Sequence, residues 1–123
     1  MADLILLVDD DADVRAVMAE VLIDVGYGIL EAENGLVALA LLATMKAAPC
    51  LVVLDLRMPV MGGEEFLERL SKIEKLAKLP VIVMTAANVR CLREGTVRLL
   101  HKPLSLERFL AVIREYCPHP SAA

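Results

Sequence analysis

The chain lacks any long uncharged stretch. Its longest, Asn34 to Met45, has 12 residues, well short of the roughly 20 that a membrane-spanning helix needs. The mean hydropathy of +0.61 therefore reports a buried interior. No basic cluster precedes the first apolar run, which begins just after Asp3, so a secretory leader is not expected and a cytoplasmic location is. Cysteine is scarce. Cys50, Cys91 and Cys117 are odd in number and have no C-x-x-C spacing, and they read as small core thiols in a reducing compartment, neither disulfides nor metal ligands. His101 and His119 are too few and too isolated for a metal site or a catalytic triad. Bases are nearly missing from residues 1–34, where Arg15 stands alone against nine acids. That imbalance argues against a nucleic-acid groove there. The ten bases of residues 66–123 are scattered and read as solvated. No linker, repeat or low-complexity tract appears.

What is present is enough for one core. At 123 residues the chain fits one domain, and its apolar fraction of 58% exceeds the roughly 45–50% of typical domains. Five short apolar runs, Leu4–Val8, Tyr27–Leu30, Leu51–Leu54, Val81–Met84 and Val97–Leu100, are mostly continuous. Such runs suit strands buried on both faces of a parallel sheet. Helical patterns alternate with them. Val14, Val17, Met18, Val21, Leu22 and Val25 form an apolar stripe between a capping Asp11 and a terminating Gly26. Asn34 caps a second helix whose inner face is Ala38, Leu41, Leu42 and Met45. A third runs from about Glu64, burying Phe66, Leu67 and Leu70, and ends before Pro80. The last opens at Ser105 and buries Leu106, Phe109, Leu110 and Ile113. Between the fourth and fifth strands only Asn88–Gly95 remain, room for about two helical turns. The alternation predicts a doubly wound α/β sandwich.

In an open parallel sheet, ligands bind outside the carboxyl ends of the strands. Those ends carry Asp9 and Asp10 after the first strand, Asp55 after the third, Thr85 closing the fourth and Lys102 after the fifth. Singly, each has an ordinary explanation: acids after strands cap helices, a threonine closes a strand, a lysine is a surface charge. Together they place carboxylates, a hydroxyl and an ammonium on one edge. Hard oxygen ligands of this kind suit Mg²⁺, and the lysine supplies a point charge for a phosphoryl oxygen.

Four segments, Ile5-Leu6-Leu7-Val8-Asp9-Asp10-Asp11, Leu51 through Gly63, Val83-Met84-Thr85-Ala86 and Lys102-Pro103-Leu104, resemble in order the signatures of the receiver domain of two-component response regulators. The resemblance implies a flavodoxin-like five-stranded parallel sheet of order 2-1-3-4-5 with helices on both faces, the fourth helix short. The receiver would span residues 1–117, with 118–123 a loose tail. It further implies that Asp55 accepts a phosphoryl group from a sensor histidine kinase or histidine phosphotransfer protein. Asp10, Asp55 and the backbone carbonyl of Arg57 would bind Mg²⁺ directly and Asp9 through water. Lys102 would contact the phosphoryl group, Thr85 would move towards it, and Lys102–Pro103 would be a cis peptide. The protein would be a phosphoacceptor rather than an enzyme with an external substrate, a monomer without direct nucleic-acid or membrane contact.

Some positions depart from the family pattern. The usual aromatic switch residue is Leu99, the crossover from Thr85 to Lys102 is short, and Arg57 and Ala87 occupy the positions that tune phosphoryl lifetime. Two other readings therefore stand beside the phosphorylated switch. One is a receiver-fold interaction module that works without phosphorylation. The other is a Mg²⁺-dependent phosphohydrolase, disfavoured because Arg57 sits where its general acid belongs.

Overall fold

A computed structural model describes residues 3–55, 62–85, 96–101 and 105–118. The described residues form five parallel strands, β1 (Leu4–Val8), β2 (Gly28–Ala32), β3 (Leu51–Asp55), β4 (Val81–Thr85) and β5 (Thr96–His101). Their order is β2-β1-β3-β4-β5, the flavodoxin-like order that the family resemblance implied. Register pairs Val8 with Ala32 and Leu54, Asp55 with Met84, and Thr85 with His101. The helices are α1 (Ala12–Val25), α2 (Gly35–Thr44), α3 (Gly63–Ser71) and α4 (Leu106–Tyr116), with a single 3₁₀ turn at Glu74–Leu76. The short helix expected within Asn88–Gly95, and the tail from His119, lie outside the described residues.

Strand alternation sends successive side chains to opposite faces, and two cores result. Leu6, Val8, Val52, Leu54, Val81 and Val83 pack with Ala38 and Leu42 of α2 and Phe66, Leu67 and Leu70 of α3. Ile5, Leu7, Leu51, Val53, Ile82 and Leu100 pack with Ala19 and Leu22 of α1 and Phe109, Val112 and Ile113 of α4. The continuous apolar character of β1 and β3 follows from burial on both faces.

The caps agree with the sequence. The Asp11 carboxylate accepts from the backbone N–H groups of Asp13 and Val14 at 3.0 and 3.1 Å, Asn34 Oδ1 accepts from Val37 at 2.9 Å, and Ser105 Oγ accepts from Arg108 at 3.2 Å. At the far end of α1, Gly26 adopts φ 116°. Its N–H donates to the Ile23 carbonyl, and that of Tyr27 reaches back to Leu22, each at 3.0 Å. This paired closure needs a left-handed residue at Gly26. Gly26→Ala is expected to cost about 1–2 kcal/mol, seen as a lower urea midpoint at unchanged slope.

Two helical faces differ from expectation. Val14 and Val17 are exposed, Val17 by 61%, and the inward row of α1 is Ala19 and Leu22, with Arg15 half-buried on the same line. Leu106 is 53% exposed, and Val112 takes the buried place beside Phe109 and Ile113. The cysteines differ as well. Cys50, just before β3, and Cys117, just after α4, are joined in a disulfide with Cα atoms 6.3 Å apart. They are 67 residues apart in sequence, so only the fold brings them together. Beside them the buried Tyr27 hydroxyl donates to the Cys117 carbonyl. Burial pushes that phenol above its usual pKa, Arg114 opposes the shift and Asp3 adds to it.

Candidate functional site

The acidic residues meet where the strand order reverses. β1 lies between β2 and β3, and the crossovers leaving β1 and β3 enter helices on opposite faces of the sheet. A crevice opens between such connections, at the carboxyl ends of the strands. Asp9 and Asp10 follow β1 and Asp55 ends β3. One carboxylate oxygen from each lies within 4.8 Å of the other two.

The three acids are not equivalent. Asp9 is buried, with 2% exposure. Its backbone N–H donates to the Ala32 carbonyl at 3.1 Å, and its Oδ1 accepts from the Asp11 N–H at 2.9 Å. One of its oxygens is thus committed to shaping the loop. Asp10 is exposed and Asp55 half-buried. Like charges this close repel, a repulsion that a bound cation would offset. An octahedral ion with bonds near 2.1 Å holds ligand oxygens about 3–4 Å apart. The oxygen-only donor set and its span fit a small hard cation of the magnesium type.

Arg15 is a contributor that composition hid. Its Nη1 donates to the Asp9 carbonyl, and its Nε pairs with Glu31 Oε1 at 3.0 Å. One guanidinium thus ties the loop after β1 to the end of β2. The available signal was its isolation, the one base among nine acids in residues 1–34, placed one helical turn after Asp11.

The remaining predicted residues fall differently. Thr85 ends β4, beside β3 and its Asp55, and Leu99 pairs with Val83 in β5, while the side chains of both lie outside the described residues. Arg57, Lys102 and Pro103 lie wholly outside them, and with them the expected carbonyl ligand and cis peptide. Lys102 follows His101, the β5 partner of Thr85.

Across the α1 and α4 side, Val17, Met18, Val21, Met84, Leu106 and Phe109 line an apolar groove of about 310 Å³. No described helix is long and apolar enough to cross a membrane.

The chain matches the family described as the response regulator receiver domain over residues 5–114. It is 33% identical over 123 residues to the sporulation initiation phosphotransferase F of Bacillus subtilis, with 96% of each chain covered. It is 36% identical over 115 residues to the probable transcriptional regulator ycf29 of Porphyra purpurea, covering 89% of this chain but only 54% of that relative. Among solved structures, the chemotaxis protein CheY4 of Vibrio cholerae superposes with a TM-score of 0.82 at 27% identity, over 94% of this chain and 99% of that one. A match running from β1 into the last helix, on a sheet of the same architecture, makes this chain a member of the response regulator receiver domains of two-component signalling.

Proposed function

We propose that the domain is a phosphoryl-accepting switch in which Asp55 takes a phosphoryl group from a histidine kinase or histidine phosphotransfer protein. The observation that carries the reading is the convergence of Asp9, Asp10 and Asp55 oxygens within 4.8 Å at the carboxyl edge of the sheet. In the transfer, an Asp55 carboxylate oxygen bonds to phosphorus as the bond to the donor nitrogen breaks. Such a transfer is almost wholly positioning and charge neutralisation. Asp10, Asp55 and the Arg57 backbone carbonyl would hold Mg²⁺, with Asp9 acting through water, a role suited to a buried carboxylate already bonded to the Asp11 N–H. The bound ion supplies positive charge against the phosphoryl oxygens. Lys102 would contact those oxygens, and Thr85 would approach them after transfer, with Leu99 beside it on β5.

The half-buried Arg15, bonded to the Asp9 carbonyl and to Glu31, ties the loop that carries Asp10 to the end of β2. Partner contact is proposed on α1, where Val14 and Val17 are exposed at the end nearest the acids. The small side chain of Leu99 weakens coupling to the β5 side, and the reading includes a monomer before and after activation, working in the cytoplasm.

Titration with beryllofluoride and Mg²⁺, followed by amide NMR, tests this. Saturable shifts of signals after β1, β3 and β4, beyond those that Mg²⁺ alone produces, are expected. A spectrum that beryllofluoride leaves unchanged from that with Mg²⁺ alone would refute the switch and favour the phosphorylation-independent module.

A further inference from the structure

The opposite edge of the sheet carries a second chemistry. Cys50 precedes β3 and Asp55 ends it, so the cysteine lies about 16 Å from the acids at about 3.3 Å per residue. Its partner Cys117 is fully buried and Cys50 half-buried. Both backbones are fixed independently of any sulfur bond. The Cys50 N–H donates to the Leu4 carbonyl at 2.8 Å, and the Cys117 N–H to the Ile113 carbonyl at 2.8 Å. The Tyr27 hydroxyl, from just before β2 and 90 positions away in sequence, holds the Cys117 carbonyl. Two thiols positioned this way face one another at high effective concentration.

We propose that Cys50 and Cys117 form a reversible redox site, a dithiol that a hydroperoxide closes into a bond pinning the end of α4 to the head of β3. Where thiols are kept reduced, a cysteine pair in bonding register is open at rest and closes on oxidation. The half-buried Cys50 is the sulfur a peroxide reaches. Its thiolate takes one oxygen from the peroxide, becoming a sulfenic acid and releasing hydroxide. The Cys117 thiol then displaces that oxygen, forming the disulfide and releasing water. Overall two thiols and one hydrogen peroxide give one disulfide and two waters (an organic hydroperoxide leaves as its alcohol with one water), and a small dithiol reductant reverses the bond by exchange. The Asp3 carboxylate lies within 4.8 Å of both sulfurs, and with two thiolates it makes a three-ligand set of the kind zinc accepts. The sulfurs, however, are joined to each other, which favours redox chemistry over a metal.

The closed loop is long, so its effect on the unfolded chain is large. Full-length protein is compared after reduction with dithiothreitol and after treatment with hydrogen peroxide. The oxidised form is expected to lose two hydrogens by intact mass and to yield a peptide linking residues 50 and 117. Its melting temperature is expected to rise by about 10 °C, and amide exchange across Leu106–Tyr116 to slow. Cys50→Ser should abolish all of these changes and Cys91→Ser should keep them. Asp55→Asn should also keep them, which separates this site from the phosphoryl chemistry. Linkage of Cys91 to either cysteine, an oxidised form no more stable than the reduced one, or stoichiometric zinc uptake by the reduced protein that blocks closure, would each overturn the proposal.

Discussion

Asp55→Asn is expected to take up no phosphoryl group from acetyl phosphate and Mg²⁺, where the wild-type chain gains one. An amide oxygen is a poor nucleophile, and the substitution also removes a negative charge from the metal-holding set. The acid ends β3 half-buried, after four fully buried apolar residues that carry the packing of the strand, so the fold should survive. Asp10→Ala separates the two roles. Its nucleophile remains, but one exposed oxygen donor is lost, and Mg²⁺ affinity should fall at least about tenfold, the scale on which even outer ligand partners act. The three carboxylates also repel one another where they meet. Removing Asp10 relieves a repulsion worth about 1 kcal/mol at such separations in water-like surroundings. Asp10→Ala should therefore melt above the wild type without Mg²⁺, and the gap should close when Mg²⁺ is added. Intact mass and melting curves read both effects. Label retained in Asp55→Asn would place the acceptor elsewhere, and Asp10→Ala melting below the wild type without Mg²⁺ would show that the cluster is held by contacts other than a cation.

Much of this arrangement was legible because it is written in local chemistry. The short continuous apolar runs of β1 and β3 suit strands covered on both faces, and a parallel sheet then puts Asp9, Asp10 and Asp55 at one edge. Asp11, Asn34, Ser105 and Gly26 bound their helices through bonds to neighbours two to four residues away, which sequence spacing encodes. Misreadings arose where tertiary packing chose between local options. The aliphatic residues of α1 spread over a wide arc, and the sheet meets that arc at Ala19 and Leu22, leaving Val17 outside. A small residue allows close approach of helix to sheet, and counting large aliphatics passes over it. Arg15 continues that inward row, so hydropathy alone could not mark it as half-buried. The pairing of Cys50 with Cys117 depends on where the end of α4 lands beside the start of β3. No spacing rule reaches across 67 residues.

Phe66→Ala is expected to cost about 3–5 kcal/mol, a large share of the roughly 5–15 kcal/mol that stabilises a domain. The chain contains only two phenylalanines, and the fold assigns one to each core, Phe66 beneath α3 and Phe109 beneath α4. Phe66 is fully buried and is the bulkiest fully buried side chain among the described residues. Its backbone N–H closes the first turn of α3 on the Gly62 carbonyl at 3.1 Å. It packs in the cluster that joins Val52, Leu54 and Val83 of the sheet to Leu42 of α2. Those neighbours are mostly β-branched or strand-bound, so they cannot close over the space left by the ring. The cost therefore includes a cavity beyond the lost transfer energy. Phe66→Leu keeps most of the volume and should cost less than about 1.5 kcal/mol. Because α3 begins at Gly63, eight positions after Asp55, loosening it should also reach the site. Hydrogen exchange in Phe66→Ala should rise across α3 and at the end of β3 before it rises in β1. Equal destabilisation by the alanine and leucine variants, or loss of protection starting in β1, would show that the packing of α3 is not what holds this edge of the sheet.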